Sequence, residues 1–576
     1  MAQSRRVLVD PGEITIETEL VSGLPVVNAV LERLGLAKLL EDHLPEPDPR
    51  CELAPAQAIG VLVRNLALGR QPLYGLCAWA AAYDPTLLGL EAGEAELLND
   101  DRVGRALDQL FTSDRASLLT ALSLSAIDAF GIALEELHDD STSLVLYGSY
   151  ADATGEPVAG MSPPRPARGF SKDHRGDLKQ LVWILTISAD GAVPITYRMV
   201  DGNVEDSTTH ITTWERCRAI AGRSGFLYVA DSKLCTRDNM DHIARNGGRF
   251  LTILPKTRKE DELGRAWIAS GAVTWGEIAR RPGKRKDDPD EVYWAAEAPS
   301  CSAEGYRIVW FRSSVKRMND ALSRNDRIEK ARADLQDLAG SLSSPRCQLK
   351  SRQAVEDAAG KVVASHMAGR WVRFEVADDV VTEFRQERRG RPGKDTRYKK
   401  IESHRFSLTF ATDAAAVAFD AAFDGCFPMC TNDTEMTEAE LLGAQKRQPR
   451  LERRHATFKG VIEAAPIVLK SDYRIDALGF CLYVALLVHA LIERELRQAM
   501  AEAGIAELPL YYEDRACKTP TAARVLEILA PLARTVVGHR DEVLTVAAPE
   551  LSPLQEQLLT LLEVPLGAYV ASCARR

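Results

Sequence analysis

Residues 19–130 carry apolar positions at the three- and four-residue spacing of helices that bury one face. The first such set comprises Val21, Leu24, Val27, Val30, Leu31, Leu34 and Leu39. Prolines between positions 45 and 55 interrupt the pattern, which then predicts further helices at 56–69, 73–83, 101–111 and 116–130. We therefore predict an all-helical domain over residues 1–130. Such a bundle serves either DNA binding or packing alone, and the spacing does not choose between them.

The pattern changes after residue 134 to short β-rich runs separated by helix-like stretches at 207–223 and 236–246. The predicted strands are Ser143–Tyr147, Leu181–Ser188, Pro194–Val200, Phe226–Ala230 and Arg249–Leu254. Strands that come first and then alternate with helices are typical of a mixed α/β sheet. Residues 131–255 are thus the predicted first part of an α/β core.

The alternation is interrupted over residues 256–405, where a charged helical stretch at 315–340 lies among strand-like runs. Those runs are Glu291–Ala296, Arg307–Arg312 and Trp371–Val376. We interpret this region as a β-rich insertion into the core. The core is expected to resume at 406–503, with strands Phe406–Phe410 and Cys426–Thr431 and helices at 437–462 and 474–503, and a helical tail to follow at 504–576.

The composition excludes some classes of protein. The chain has 576 residues, of which 45% are hydrophobic and 27% charged, as in ordinary globular proteins. The 72 Lys and Arg against 82 Asp and Glu leave a net charge of −10, which argues against coating nucleic acid through bulk charge but allows local basic patches. Disordered chains and coiled-coil rods are excluded.

Cysteine usage and hydropathy bear on the compartment. The 11 cysteines are irregularly spaced, as expected of reduced thiols, and the pair Cys426 and Cys430 has no second pair to complete a zinc site. The longest apolar run, Phe480–Ile492, has 13 residues, whereas a membrane helix needs about 20. We expect a cytoplasmic protein with no membrane segment, in which this run is a buried core helix.

Three acids stand out by their surroundings. Asp140 lies at the start of a strand in LHDDSTSLVLYG, Asp231 directly follows another predicted strand, and Glu452 lies on a predicted helix. Carboxylates at neighbouring strand ends can converge because adjacent strands are about 5 Å apart. Glu452 is crowded by six basic residues, Lys446, Arg447, Arg450, Arg453, Arg454 and Lys459.

Such a set of acids suits two-metal phosphoryl transfer on DNA, since carboxylate oxygens bind Mg²⁺ or Mn²⁺ and the cations would hold phosphates. A purely structural role for these acids is the alternative. An acid at a strand end is often a cap, and an acid among helical arginines is often one half of an ion pair.

Five motifs, which occur along the chain in the order expected of the family, resemble those of insertion-sequence DDE transposases of the insertion sequence four-like group. HDDSTS around Asp140 resembles the motif of the first acid, and YVADSKLCTRDNM around Asp231 that of the second. GFSKDHRGDLKQ (169–180) and DGNVEDSTTH (201–210) resemble the segments between them. Glu452 and Lys459 match the E-x6-K pair of the last helix.

The resemblance implies an RNase H-like mixed sheet with a strand-rich insertion before the last acid. It implies that Asp140, Asp231 and Glu452 ligate two Mg²⁺ ions, with Mn²⁺ as a possible substitute, and that Lys459 contacts a phosphate near the cut. The family signature also has Tyr and Arg seven and four residues before the glutamate, where this chain has Gln445 and Gln448. Asp139 is the rival of Asp140, which we prefer because the Ser-Thr-Ser run follows it directly.

By the same resemblance, the partner is double-stranded DNA, namely transposon inverted repeats read by the helical 1–130 domain and a target, with a homodimer on the DNA. Predicted DNA contacts are Lys172, His174, Arg175, Arg388, Arg389, Arg391, Lys394, Lys399, Lys400, Arg447, Arg450 and Arg453. Nine Lys or Arg against three acids lie between 385 and 405, around a GRPG loop. One of four insertion tryptophans (275, 294, 310, 371) is a candidate for stacking on a flipped base.

Two other functions remain open from sequence alone. The first is a DNA-binding protein derived from a transposase that has lost catalysis. The second is a structure-specific nuclease with the same core and no strand transfer. The first requires no metal, and the second would cut DNA without joining it, so metal titration and a strand-transfer assay separate them.

Overall fold

The computed structural model describes residues 14–46, 50–69, 71–283, 288–344, 346–464, 467, 469–539 and 542–569. The chain divides into two compact units. Unit 1 comprises Met1–Thr252 together with Gly443–Arg576, and unit 2 comprises Ile253–Leu442. Unit 2 is therefore inserted between two segments of unit 1.

The first segment of unit 1 opens with one strand and seven helices. They are β1 (Ile14–Leu20), α1 (Leu24–Arg33), α2 (Leu36–His43), α3 (Pro55–Leu68), α4 (Leu76–Ala80), α5 (Pro85–Leu88), α6 (Asp100–Thr112) and α7 (Arg115–Phe130). Polar caps define two of the starts, because Asn99 accepts a hydrogen bond from the Arg102 N–H and Asp114 accepts one from the Ser117 N–H.

The central sheet of unit 1 has antiparallel and parallel neighbours. Its elements are β2 (Glu136–Leu146), β3 (Lys179–Ser188), β4 (Pro194–Val200), α8 (His210–Ala221), β5 (Leu227–Ala230), α9 (Arg237–Arg245) and β6 (Arg249–Ile253). The strand order is β4-β3-β2-β5-β6. β2 pairs antiparallel with β3, β3 antiparallel with β4, and β5 parallel with both β2 and β6. The first acid thus lies on the middle strand.

Unit 2 contains an antiparallel sheet and a separate hairpin. Its elements are α10 (Lys259–Ala269), β7 (Gly276–Arg281), β8 (Glu291–Glu297), β9 (Arg307–Ser313), α11 (Ser314–Leu342), α12 (Arg352–Ser365), β10 (Val372–Gln386), β11 (Tyr398–Thr412), α13 (Ala414–Ala421) and β12 (Cys426–Thr431), and the chain leaves the unit within α14 (Glu438–Gln445). The sheet order is β12-β9-β8-β7. The base of the β10–β11 hairpin packs on α11 and α12 through an apolar cluster that includes Leu335, Val355 and Val372.

The second segment of unit 1 returns as α15 (Gln448–Ala456), a π-helical turn (Thr457–Val461), α16 (Asp472–Glu502), α17 (Ala522–Leu529), β13 (Ala533–His539), β14 (Glu542–Ala547) and α18 (Pro553–Leu561). Stacked rings join this segment to the sheet, since Trp183 lies 4.3 Å from Phe458 and 4.5 Å from Tyr197, measured between centroids. Among the described residues, α16 is the one helix long and apolar enough to cross a membrane, and its apolar window is wholly buried in the fold. The core helices of soluble proteins pass the same test of length and composition.

Several sequence predictions are confirmed at the level of single elements. The strand at Pro194–Val200 has the predicted bounds, and the charged helix at 315–340 is α11. Two predictions of all-helical regions are wrong. Region 1–130 and the tail 504–576 are not all helical, because β1, β13 and β14 form a three-stranded sheet in which β1 pairs with β13. A strand whose partner lies more than 500 residues away leaves no local sign of that partner.

The insertion is also longer than predicted. Phe406–Phe410 belongs to β11 of the hairpin, and Cys426–Thr431 pairs with β9, so both lie in unit 2 and not in the resumed core. The predicted helix at 437–462 is divided into α14, α15 and a π-helical turn. Pro449 falls in the first turn of α15, where a proline is tolerated and a new helix can begin.

Candidate functional site

Alternation along β2 separates its two adjacent acids. Asp139 is buried on one face of the sheet, where it accepts a hydrogen bond from the Thr186 hydroxyl (2.7 Å) and lies 3.5 Å from His210 Nδ1. Asp140 projects to the other face, the side on which α15 packs. Only Asp140 can therefore act together with residues of α15.

Asp140 on β2 and Asp231, which directly follows β5, lie beside each other because β2 and β5 are adjacent parallel strands. Asp139 is in register with Ala230, so the next residue of each strand is an acid. Asp231 also caps the short helical turn that follows β5, since its Oδ1 accepts a hydrogen bond from the Lys233 N–H (2.9 Å). The strand register thus places both predicted acids at the same level along the two adjacent strands.

A third acid, Asp206, joins them around Lys172. The Lys172 Nζ lies 3.0 Å from Asp140 Oδ1 and 3.7 Å from Asp206 Oδ2, and it donates a hydrogen bond to the Ser141 carbonyl (2.5 Å). Asp206 Oδ1 accepts a hydrogen bond from the Ser141 hydroxyl (2.8 Å). We refer to Asp140, Asp206 and Asp231 as the acid cluster. An ammonium group already fills part of the space where a bound cation would be held.

The pKa values in the acid cluster reflect this crowding. Burial raises the pKa of Asp140 to about 6; Lys172 opposes this rise, and the charge of Asp231 adds to it. Burial alone would lower the pKa of Lys172, but the carboxylates of Asp140, Asp206 and Asp231 raise it above its ordinary value. Lys172 is therefore a full positive charge at neutral pH, and it partly neutralises the three acids.

Helix α15 is fixed to β2 by contacts at its first turn. Arg447 donates two hydrogen bonds to the Glu136 carboxylate (2.6 and 2.5 Å). Gln448 Oε1 lies 2.8 Å from His138 Nδ1, and its amide donates to the Asp139 carbonyl (3.1 Å). His138 Nε2 lies 2.7 Å from Glu136 Oε1. These contacts set the height of every later α15 residue relative to Asp140.

Further along α15, His455 lies beside the acid cluster. Its Nε2 lies 3.9 Å from Asp140 Oδ2, and the side chain is buried. Burial lowers the pKa of His455 to about 3, and the charges of Lys172 and Lys459 act in the same direction, so the ring is neutral at pH 7. The sequence analysis did not identify this histidine. The available signal was its position three residues after Glu452 on the same predicted helix.

The other two predicted catalytic residues lie close by on the same segment. Glu452 is exposed, one turn before His455. Lys459 lies in the π-helical turn, and its Nζ is bound by both carboxylate oxygens of Asp173 (2.8 Å each). Within the described ranges, no three His, Cys, Asp or Glu side chains lie close enough together to hold a metal ion. Glu452 is thus not assembled into a ready ligand set with Asp140 and Asp231.

The predicted DNA contacts on unit 1 fall into two groups. Arg447 is engaged by Glu136 and Arg450 donates to the Ala189 carbonyl (3.1 Å), whereas Arg453 is exposed. In the segment before β3, Arg175 is paired with Asp177 (2.8 Å), and His174 is exposed with a positive φ of 57°. Arg447 and Arg450 are therefore structural contacts in this state, and Arg453 is available to a ligand.

The predicted contacts on unit 2 all lie at the far end of the β10–β11 hairpin. Its strands pair over 15 residues each, which at about 3.3 Å per residue gives an arm about 50 Å long. The exposed cations at its end are Arg388, Arg389, Arg391, Lys394, Lys399 and Lys400. Lys400 pairs with Glu402. We refer to Arg388, Arg389 and Arg391 as the tip arginines.

The four tryptophans of the insertion are buried or half-buried. Trp310 is fully buried, Trp371 donates a hydrogen bond to Asp420 (2.6 Å), and Trp275 and Trp294 are half-buried. At the far end of the hairpin the exposed rings are instead those of Phe384 and Tyr398.

Comparison with known proteins does not assign a function to this site. One family model, described as a domain of unknown function (DUF4277), matches residues 16–124. No curated protein matches the chain. Among solved structures, a piggyBac transposase synaptic complex with hairpin DNA is similar at a TM-score of 0.25 and 9% identity, over 50% of this chain and 56% of that chain. A likeness of that size does not establish a shared fold.

Proposed function

We propose that the protein is a DDE transposase, which cleaves DNA at the ends of an insertion sequence and joins the freed 3′-OH to target DNA. The observation that carries the proposal is the pair Asp140 and Asp231, at one level on adjacent parallel strands and grouped around a cation. Three antiparallel strands followed by two parallel ones, in the order β4-β3-β2-β5-β6, also agree with an RNase H-like core.

Asp140, Asp231 and Glu452 are the residues that would hold two Mg²⁺ or Mn²⁺ ions. The fit rests on the two convergent carboxylates and on the neighbouring ammonium of Lys172, which stands where positive charge is stabilised. When bound, such ions supply the Lewis acidity that phosphoryl transfer requires. Glu452 would have to turn toward the acid cluster, and its position one turn from His455 on an exposed face allows that.

The remaining basic residues would hold DNA. Lys459 and Lys172 lie beside the acids and would exchange Asp173 and Asp140 for phosphate oxygens. The tip arginines would contact the DNA backbone, which positions a protein without reading sequence. The proposal further includes inverted-repeat recognition by the helices of region 1–130, a homodimer on DNA, and a cytoplasmic location at the nucleoid.

The test is cleavage of labelled DNA that carries the element's own ends, by wild type and Glu452→Gln, with Mg²⁺, Mn²⁺ or Ca²⁺. Genomic sequence flanking the reading frame supplies the ends. We expect nicking at the end with Mg²⁺ or Mn²⁺, and loss of nicking but not of binding in Glu452→Gln. Nicking by Glu452→Gln at the wild-type rate would remove Glu452 from the site.

A catalytically inactive DNA-binding protein is the second candidate. Lys172 already pairs with Asp140, and no three-ligand metal set is assembled among the described residues; both features suit a protein that binds DNA without a metal. End binding with no cleavage under any of the three metals would favour this candidate. Cleavage without joining of a pre-cut end would instead indicate a nuclease.

A further inference from the structure

The buried position of the His455 side chain is energetically unfavourable, because its polar ring atoms are poorly hydrogen-bonded. The residue is only 7% exposed, and neither Nδ1 nor Nε2 makes a hydrogen bond of normal geometry among the described residues, although the Asp140 backbone lies close enough to raise the pKa of the ring slightly against the effect of burial. A buried polar group without a partner costs about 1–3 kcal/mol, and each such group in a native fold needs an explanation. An aliphatic residue would fill the same space without this cost, so packing does not account for a histidine here.

The orphaned ring points into the acid cluster. His455 Nε2 lies 3.9 Å from Asp140 Oδ2. Metal–nitrogen and metal–oxygen bonds to divalent ions are each about 2.0–2.2 Å. Two ligands of one ion are therefore separated by at most about 4.4 Å, and the observed separation falls within that limit. The ring also lies on α15, whose height is set by the contacts of Arg447 and Gln448 with β2.

The matched comparison is His138, which lies on the same face of the sheet. Both of its nitrogens are partnered, Nδ1 by Gln448 (2.8 Å) and Nε2 by Glu136 (2.7 Å). Two buried histidines on one face thus differ in one respect, since the side chain beside the acid cluster is the one left without partners. This difference points to a ligand that the protein chain does not itself provide.

We propose that His455 is a direct metal ligand, which together with Asp140 holds one divalent ion at the acid cluster and makes this position prefer Mn²⁺ to Mg²⁺. Both ions bind carboxylate oxygen, but Mn²⁺ as a first-row transition metal also accepts an imidazole nitrogen, whereas Mg²⁺ takes oxygen ligands almost exclusively. The incoming ion displaces the Lys172 ammonium from Asp140, which frees Lys172 for a phosphate oxygen. The inference rests on the proposed function and adds a ligand that the three-acid motif does not contain.

The test is pulsed electron paramagnetic resonance of the full chain loaded with Mn²⁺, without DNA. We expect nitrogen modulation from one directly bound imidazole in wild type, and its loss in His455→Gln and His455→Leu. The leucine variant leaves no unpartnered atom and serves if the glutamine variant does not fold. His242→Gln on α9, where His242 is bound by Glu215 (2.7 Å), is the control and should retain the nitrogen signal. Mn²⁺ affinity should fall at least about tenfold in both His455 variants, with a smaller change for Mg²⁺.

The outcomes separate this inference from the proposed function. Mn²⁺ binding that depends on Asp140 and Asp231, but with no nitrogen signal or a signal unchanged in both His455 variants, overturns the role of His455 and leaves the transposase proposal standing. Mn²⁺ binding that is unaffected by Asp140→Asn and Asp231→Asn overturns both. A wild-type preference for Mg²⁺ over Mn²⁺ overturns the selectivity.

Discussion

Replacing Arg454 with alanine tests whether α15 is held by a buried ion pair. Arg454 is 4% exposed and donates hydrogen bonds to Glu493 of α16 (2.7 Å) and to the Gly191 and Ala192 carbonyls between β3 and β4 (3.0 and 2.8 Å). One side chain therefore joins the helix that carries Glu452 and His455 to two other parts of unit 1.

The magnitude follows from what the substitution leaves behind. Removing one partner of a buried ion pair costs about 3–5 kcal/mol, because the other charge remains buried. Glu493 would keep two weaker partners, Arg497 Nη2 and the Ala522 N–H, each at 3.2 Å. We therefore expect a loss near the lower limit, about 3 kcal/mol, in the free energy of unfolding of unit 1.

The assay is equilibrium urea unfolding combined with hydrogen exchange of peptides from α15 and α16, which assigns the transition to unit 1. The adjacent Arg453 is exposed, and Arg453→Ala is expected to change stability by less than about 0.5 kcal/mol while weakening DNA binding. Arg454→Met combined with Glu493→Leu should be more stable than Arg454→Ala. Equal stability of Arg453→Ala and Arg454→Ala would refute the reasoning.

Three further outcomes are expected. Burial opposes ionisation of Glu136, but His138 and Arg447 lower the pKa of its carboxyl group to about 2. The ionised Glu136 therefore stabilises the fold fully above pH 4.5, and this contribution is lost as the pH falls toward 2. The melting temperature of Glu136→Gln should lie below that of wild type at pH 7 and approach it at pH 3. Replacing the tip arginines with glutamine should reduce the slope of log K against log salt for DNA by about 2–3 without changing stability, whereas Lys330→Gln on α11 should change neither. Gly202→Ala should destabilise unit 1, because the added Cβ would lie 1.8 Å from the Gln180 carbonyl oxygen, while Gly176→Ala meets nothing within 4 Å; equal melting temperatures would contradict this packing.

Local pattern was sufficient for most elements of the central sheet. The predicted strands at 181–188 and 194–200 are β3 and β4, since runs of apolar and β-branched residues bounded by turns carry their own periodicity. The same alternation puts Asp139 and Asp140 on opposite faces, but only the packing of α15 shows which face carries the site. The ligand roles of Asp140, Asp231 and Glu452 stay predictions.

Contacts between residues that are far apart in the sequence could not be predicted from local pattern. Glu136 and Arg447 are 311 positions apart, and either is an ordinary surface residue when its own segment is considered alone. Lys172 was predicted to contact DNA, yet it lies among three carboxylates because the segment before β3 folds back over β2. Arg447 and Arg450 were predicted to hold phosphates and are instead bound to a carboxylate and a carbonyl.

The sequence by itself determined most of the periodic elements and where the insertion begins, and it supplied the candidate acids, because each of these is recorded in residue types and spacings within one short segment. The tertiary structure alone decided which of these residues meet. It closed β1 onto β13, drew Asp206 into the acid cluster, and left His455 buried without partners 3.9 Å from Asp140. The physical reason is that burial and pairing depend on chain segments that are remote in sequence, and no periodicity within one segment encodes what packs against it.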